Sequence, residues 1–516
     1  MRRIRSARVG LAGLFVIVFM GFRGEACGAM KEIRAVWVTR WEYASDDLDA
    51  QAQQERIREI FRRARKAHLN TVFFQVRGQA DAFYRSSYEP WAAALSGQLG
   101  EDPGWDPLAL AIEQGRLYGV EVHAWINVFT CWNGATPPPE DASPTPLYWA
   151  HPEWICVDRK GERMALDADD YVWVSPGIPA VREHVLNVVT EIVEQYDVDG
   201  LHLDYVRYPG GGYSHDPIST ARFMESQAHS GGISWADWQR DQVSLFVRSV
   251  YDRVQRIRPE VKVSAAVVGV YRSSNGGWDG YHSVYQDARA WLQSGSVDFV
   301  VPMTYWRRVD TFPFGELVYD WVAHAYGRHI CVGIAAYKYT GDFSEIEGQV
   351  RTARLLETQG AAIFSQANLD SGETLDALRN GVWKPLANVP SMPWKDDVPP
   401  NPPSEVSVQR HGPDEVMVSW KAPPAASDGD RAAYYNIYRA PDSINSSEPG
   451  HLVHITADGA ASWVDHASSG EGYFYAVSAL DNENVESALS DSVWIGPEED
   501  AGTCKEGAKC EEQIAK

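Results

Sequence analysis

From residue 31 to residue 386, apolar runs of strand length recur, separated by stretches of helical periodicity. They begin at Arg34 (RAVWV), Thr71 (TVFFQV), Val120 (VEVHAWI), Gly200 (GLHL), Lys262 (KVSAAVV), Asp298 (DFVVP), Ile330 (ICVGI) and Ala361 (AAIF). Runs that are apolar on both faces predict strands covered on both sides, as in a parallel sheet. Between them, residues 54–67 carry Ile57, Ile60, Phe61 and Ala64 at i, i+3, i+4, i+7, and residues 179–196 carry Val181, Val185, Val188, Val189 and Ile192 on one stripe behind a leading proline. Residues 238–257 and 345–359 read the same way. Eight strand–helix units in succession predict a closed (β/α)8 TIM barrel of the α/β class. No GxGxxG follows the first strand, which removes the commonest dinucleotide-binding alternative.

The pattern changes at residue 387. Residues 387–403 are proline-rich (VPSMPWKDDVPPNPP) and predict an extended spacer. Over 404–497, seven short alternating runs (EVSVQ, EVMVSW, YYNIYRA, HLVHIT, SWVDH, YFYAVSALD, SDSVWIG) predict a small all-β, immunoglobulin-like sandwich. This module resembles fibronectin type III: Trp420 fits the core tryptophan of an early strand, and residues 473–481 fit the strand bearing the family's tyrosine. Residues 498–516 read as an acidic tail.

The first residues belong to neither unit. Arg2, Arg3, Arg5 and Arg8 precede an apolar run from Val9 to Phe22, too short for a membrane span and suited to a signal peptide over residues 1–28. That predicts a secreted or periplasmic protein. Cys27, behind Ala26, leaves lipid anchoring open beside plain secretion. An oxidising compartment permits Cys131–Cys156 and Cys504–Cys510 bridges, while Cys331, inside a strand pattern, reads as a buried thiol. The net charge is −23; setting aside the +4 of the leader leaves −27 on residues 31–516. Such a surface has no basic footprint for phosphates, so nucleic acid is not an expected partner. No CxxC or HxH spacing suggests zinc, and no metal or organic cofactor is implied.

In a barrel of this type, reactive groups sit at the C-terminal ends of strands. Alternation puts Gln75 with Arg77, His123 with Trp125 and Asn127, and His202 with Asp204 on shared faces. Polar groups ending otherwise apolar strands are costly unless paired or facing a wet cleft, and three adjacent strands do this. In DGLHLDYVRYPG (199–210) a strand ends in Asp204, with Tyr205 and Arg207 behind it. A carboxylate beside an arginine stays ionised near neutral pH and suits a nucleophile, a base or the stabiliser of an oxocarbenium-like centre. Tyr84, Trp91, Trp105, Trp132, Tyr305 and Trp306 fall in the mouth loops, and flat aromatic faces with polar rims suit sugar rings.

The segments IRAVWVTRWE (33–42), FFQVRGQADAFYRSSYEPW (73–91), DPGWDPLALAIEQGRLYGVEVHAWIN (102–127), HPEW (151–154), VDGLHLDYVRYP (198–209), VDFVVPMTYW (297–306) and VGIAAYK (332–338) resemble, in order, glycosyl hydrolase-like family 10. The resemblance implies a glycosidase-type barrel of bacterial envelope proteins, some acting on peptidoglycan glycan strands. Many members read HxDDYxYP at the fourth strand, where this chain has Tyr205 in place of the second Asp. A glycosidase normally needs a second carboxyl as proton donor. Asp81 is the favoured candidate, with Glu42, Glu89 and Asp279 behind it; Gln75, Arg77, His123, Asn127, His202, Tyr205, Arg207, Tyr305 and Trp306 are expected to bind the sugar. The fifth strand ends without a carboxylate, which keeps alive a barrel that grips glycan without cleaving it. In either case a polysaccharide or peptidoglycan strand is the expected partner, with the fibronectin-like module a spacer or envelope-docking surface.

Overall fold

The computed structural model describes residues 30–497 apart from 231, 275, 370–372, 413, 458 and 468–469. The leader, Cys27, the tail and the Cys504–Cys510 pair lie outside the described residues.

All eight predicted runs form strands: β1 (Ile33–Val38), β2 (Thr71–Arg77), β3 (Glu121–Asn127), β4 (Gly200–Asp204), β5 (Lys262–Val268), β6 (Phe299–Met303), β7 (His329–Ala335) and β8 (Gly360–Phe364). They close in sequence order into one parallel barrel, β8 pairing with β1. The predicted helices form too. The helix Ala50–Lys66 starts at Asp49, whose side chain accepts from Ala52 N, and buries Ile57, Ile60, Phe61 and Ala64 against the strands. Because β3 and β4 pair with Asn127 opposite Asp204, those two residues end at the same height of the mouth.

The barrel interior is a separate core of Ile33, Ala35, Trp37, Phe73, Trp125, Ala266, Phe299, Val301, Cys331 and Ala362, joined from below by Val389 and Met392. Here the sequence expectation needs correcting. The segment after residue 386 is not simply a spacer, because its first part closes the barrel floor. Glu32 N donates to Asn388 O, the Trp394 indole donates to Asp298 Oδ1 at 2.8 Å, and Lys395 Nζ donates to the carbonyls of Pro259 and Val261. Apolar residues placed every few positions among the prolines (Val389, Met392, Trp394) make the segment a plug.

Among the described residues seven antiparallel strands follow, in sheets of three (Ser404–Gly412, Glu415–Lys421, Ser462–Asp465) and four (Leu452–Ile455, Tyr434–Ala440, Tyr473–Leu480, Val493–Ile495). Trp420 lies in their shared core with Val416, Tyr435, Ile437, Tyr475 and Val477. This module packs under the barrel floor, where Asn484 Nδ2 donates to Glu121 Oε1 at 3.1 Å and the Arg65 guanidinium donates to Ile455 O. A cavity of about 530 Å³ remains between the two, lined by His68, Glu121, Lys262 and Tyr434 among others, at the end opposite the mouth.

The Cys131–Cys156 bridge is not formed. Both are free thiols buried in the main core; burial pushes each up to about 12, and Ser214 Oγ donates to Cys156 Sγ. Cys331 is a buried free thiol in the barrel interior, as read.

Candidate active site

Asp204 is the last residue of β4 and retains 7 % of its surface in solvent. The next residue, Tyr205, adopts a left-handed backbone with φ +50°, which turns its N–H back onto Asp204 Oδ1 at 2.6 Å. A bulky residue in that conformation is sterically costly and is kept only where the surroundings enforce it. Burial raises the Asp204 carboxyl to about 6, and Arg207, the Tyr205 N–H and the Trp125 indole offset only part of that. The indole N–H influences the carboxyl without making a hydrogen bond of normal geometry. At about 6 the Asp204 carboxyl is ionised near neutral pH by a narrow margin.

Arg207 stands over aromatic faces rather than in an ion pair: its guanidinium carbon lies 5.3 Å from the Trp173 ring, 4.9 Å from Tyr205 and 5.9 Å from Trp278. Trp173 and Tyr171 come from a short strand, Tyr171–Trp173, paired with Thr130–Asn133 in a ribbon built from the long loop after β3. Tyr171 packs on Tyr205 with ring centroids 5.3 Å apart and receives a 3.4 Å contact from the Arg40 guanidinium. On the other side, Tyr305 is close enough for the Asp204 charge to raise its phenol further, and its ring contacts Tyr337 and Phe364. Tyr305 and Trp306 also line a rim cleft of about 480 Å³ with Phe312, Lys338 and Tyr339.

Asp81, just past β2, is 4 % exposed; its Oδ1 accepts from Gln79 N, and burial raises its pKa, with Arg40 the largest opposing influence. It sits on the Arg40 side of the mouth, and Arg40 packs so closely over Gly78 that a Cβ there would lie 1.5 Å from Arg40 Nη1. Buried polar atoms without a hydrogen-bond partner gather around these groups: Arg40 Nε, Gln79 Oε1, Trp125 Nε1 and Arg207 Nε. Each is a buried polar group left unpaired at this end of the barrel, a cost borne around Asp204 and Asp81.

The other carboxyls divide cleanly. Against the cost of burial, Arg77 and His184 hold Glu89 down at about 2, so it cannot donate a proton near neutrality. Asp279 is buried and lowered by bonds from Ser273 N and from His282, and caps the short helix Gly280–Ser283. Glu42 is raised by burial, but Thr39 N, Ser365 Oγ and Ala367 N all donate to it, so it brackets the ends of β1 and β8 together.

Three expected sugar-binding residues are placed elsewhere. Arg77 is fully buried in a two-pronged ion pair with Glu89, both N–O distances 2.7 Å, and also donates to the Asn127 carbonyl. Its parity is broken by an irregularity in β2: Gln75 lies opposite Trp125 but Arg77 opposite Ile126, so Arg77 leaves the inward face. His123 points inward but near the floor, packed edge-on to Phe73 and Phe299 with its Nε2 on Glu121, and its ring occupies the space a Cβ at Gly200 would need. His202 lies one layer higher, stacked on Phe73 with centroids 4.0 Å apart. Its Nε2 accepts from the Trp37 indole at 2.9 Å and its Nδ1 faces Ser264 Oγ at 2.8 Å, which fixes a neutral tautomer; burial drives its pKa well below the usual histidine value.

Gln75 and Asn127 are at mouth height but already committed. Gln75 Nε2 donates to Asn127 Oδ1, Gln75 Oε1 accepts from Arg40 N, and Asn127 Nδ2 donates to Gly78 O. They hold the loops after β1 and β2 in place. Asp204, Tyr205, Arg207 and Tyr305 are thus brought together, with Trp306 on the adjoining rim and Asp81 beside Arg40. Arg40, Gln79, Tyr171, Trp173 and Trp278 were not singled out from sequence; the only signal was their position in loops following strands.

Residues 32–342 match the family described as Glycosyl hydrolase-like 10. Glycosyl hydrolase YngK of Bacillus subtilis (strain 168) is 28% identical over 443 residues, spanning 80% of this chain and 83% of that protein. Glycosyl hydrolase DigH of Escherichia coli (strain K12) is 29% identical over 318 residues, spanning 58% of this chain and 69% of that protein. Among solved structures, the glycoside hydrolase domain of PgaB (BpsB) from Bordetella bronchiseptica shares the fold, with a TM-score of 0.51 and 15% identity over 68% of this chain and 98% of that one. With the closed barrel and the matched residues in agreement, this chain belongs to glycosyl hydrolase-like family 10.

Proposed function

We propose that the chain is a glycoside hydrolase that cleaves a polysaccharide or peptidoglycan-type glycan, and that it acts in the secreted or periplasmic space to which its leader would direct it. The observation that carries the reading is Asp204: a carboxyl at the end of β4, raised to about 6 by burial, under a rim of aromatic faces. At that value it is ionised near neutral pH and still basic enough to take a proton or attack an anomeric carbon. Asp81 is the proposed proton donor, since burial favours its protonated form. Glycan rings would lie against the half-buried Tyr171, Tyr205 and Tyr305 and the exposed Trp278, with the half-buried Arg207 guanidinium beside them.

The test is release of new reducing ends from peptide-free glycan strands by the purified protein. Wild type is expected to release them and Asp204→Asn to bind without release. An Asp81→Asn variant should regain turnover on aryl glycosides, whose leaving group needs no protonation. Glycan binding with no release by wild type, unchanged in Asp204→Asn, would replace the hydrolase with a glycan-gripping barrel.

A further inference from the structure

Beneath the barrel, at its junction with the sandwich, two trios of carboxylates that share Asp396 gather from three separate segments. Asp396 comes from the floor strap, Asp428 and Asp430 from the loop after strand Glu415–Lys421, and Asp481 and Glu483 from the loop after strand Tyr473–Leu480. Asp396, Asp428 and Asp430 bring one oxygen each to within 4.8 Å of one another, and so do Asp396, Asp481 and Glu483. Asp396 is common to both groups and so stands between the two loops.

The local protein does not neutralise this charge. Asp481 is 1 % exposed; its Oδ1 takes the Glu483 and Val485 N–H groups, but its Oδ2 is buried without a hydrogen-bond partner. Asp396 Oδ2 is buried and unpartnered as well. The nearest cations, Lys262 and Lys395, feel the Glu483 charge but are bound to Glu121 and Asp298. A carboxyl oxygen sealed away from water among other carboxylates, its acid pushed up to about 7 by burial, is relieved by a proton or by a positive centre. Oxygen-only ligands from three separate segments, with no nitrogen or sulfur, match the needs of Ca²⁺; Mg²⁺ demands a tighter octahedron, and Zn²⁺ favours nitrogen and sulfur donors.

We propose that Asp396, Asp428, Asp430, Asp481 and Glu483 form a calcium site that staples the sandwich to the barrel floor. The affinity expected is that of extracellular modules, a Kd of about 10⁻⁴–10⁻³ M. This inference does not depend on the barrel being a hydrolase.

The experiment is calorimetric titration of the full chain with CaCl₂ and, separately, MgCl₂ in 150 mM NaCl, beside thermal unfolding in calcium and in EDTA. Wild type should take one Ca²⁺ saturably, bind Mg²⁺ at least tenfold more weakly, and unfold about 2–4 °C higher in excess calcium. Asp481→Asn should lose at least tenfold in calcium affinity and, with one repelling charge gone, unfold in EDTA no lower than wild type. Asp430→Asn, at an exposed position, should show the same loss of affinity and decides the matter if Asp481→Asn does not fold. Absence of saturable binding, equal binding of Mg²⁺, or unchanged affinity in both foldable variants overturns the site.

Discussion

The two ends of this barrel treat buried charge in opposite ways. At the floor, the three carboxylates nearest the strand ends are matched: Glu32 bridges Arg34 and Arg354, Glu121 meets Lys262 at 2.7 Å and is held at about 2, and Asp298 takes the Trp394 indole, the Val263 N–H and Tyr251 Oη. At the mouth, Asp204 and Asp81 are buried with too few partners and both are raised, while donors on Arg40, Trp125 and Arg207 go unused. Matched charge holds a fold together; unmatched buried charge costs stability, and such groups cluster at functional sites.

The largest expected effect tests the mouth. Asp204→Asn should lower kcat/KM by about 10³-fold or more, within the range of acid–base and nucleophilic contributions. Next comes the floor: Lys262→Ala takes the buried cation from the part-buried Glu121 and should cost about 3 kcal/mol in denaturant unfolding, with activity per folded molecule unchanged. A loss of turnover without loss of stability there would erase the contrast. The third concerns stability against pH. Because the folded Asp204 is raised from 3.8 to about 6, protonation favours the fold: that contribution is complete below about pH 4 and lost as pH rises through 6. Asp204→Asn should therefore be more stable than wild type at pH 8, by up to roughly 3 kcal/mol, and no more stable at pH 4. Equal stability at both would mean the carboxyl is not under strain. For activity, a base or nucleophile at about 6 predicts that kcat/KM falls as pH drops through 6; an alkaline limb there instead would exchange the roles of Asp204 and the proton donor. The smallest effect belongs to the rim, where Trp278→Ala should raise KM roughly tenfold with little change in kcat, as loss of one stacking face does.

Much of the fold was legible because each barrel strand is a continuous apolar run, so eight starts could be read without ambiguity between faces. Asp204 was legible for the same reason: a carboxylate ending such a run has few structural uses. Height and register were not. His123 and His202 have the right inward parity, yet a strand's alternation does not say how deep a side chain sits, and both belong to lower layers packed on Phe73. Arg77 failed on register, since the slip between Gln75 and Arg77 changes its face and only the neighbouring strand reveals that slip. Glu89 looked like a loop carboxylate until the fold brought Arg77 and His184 onto it. The strap after residue 386 was hidden by its prolines, which advertise a spacer even where Val389, Met392 and Trp394 anchor it.

That strap also sets where the barrel can be cut. A fragment ending with its last strand and helix would lack Val389 and Met392 in the interior and would strip Asp298 of the Trp394 and Lys395 contacts. The smallest self-sufficient barrel therefore extends to about residue 396, and a domain boundary drawn at the first proline would yield an unlidded cylinder with its lower core open to water.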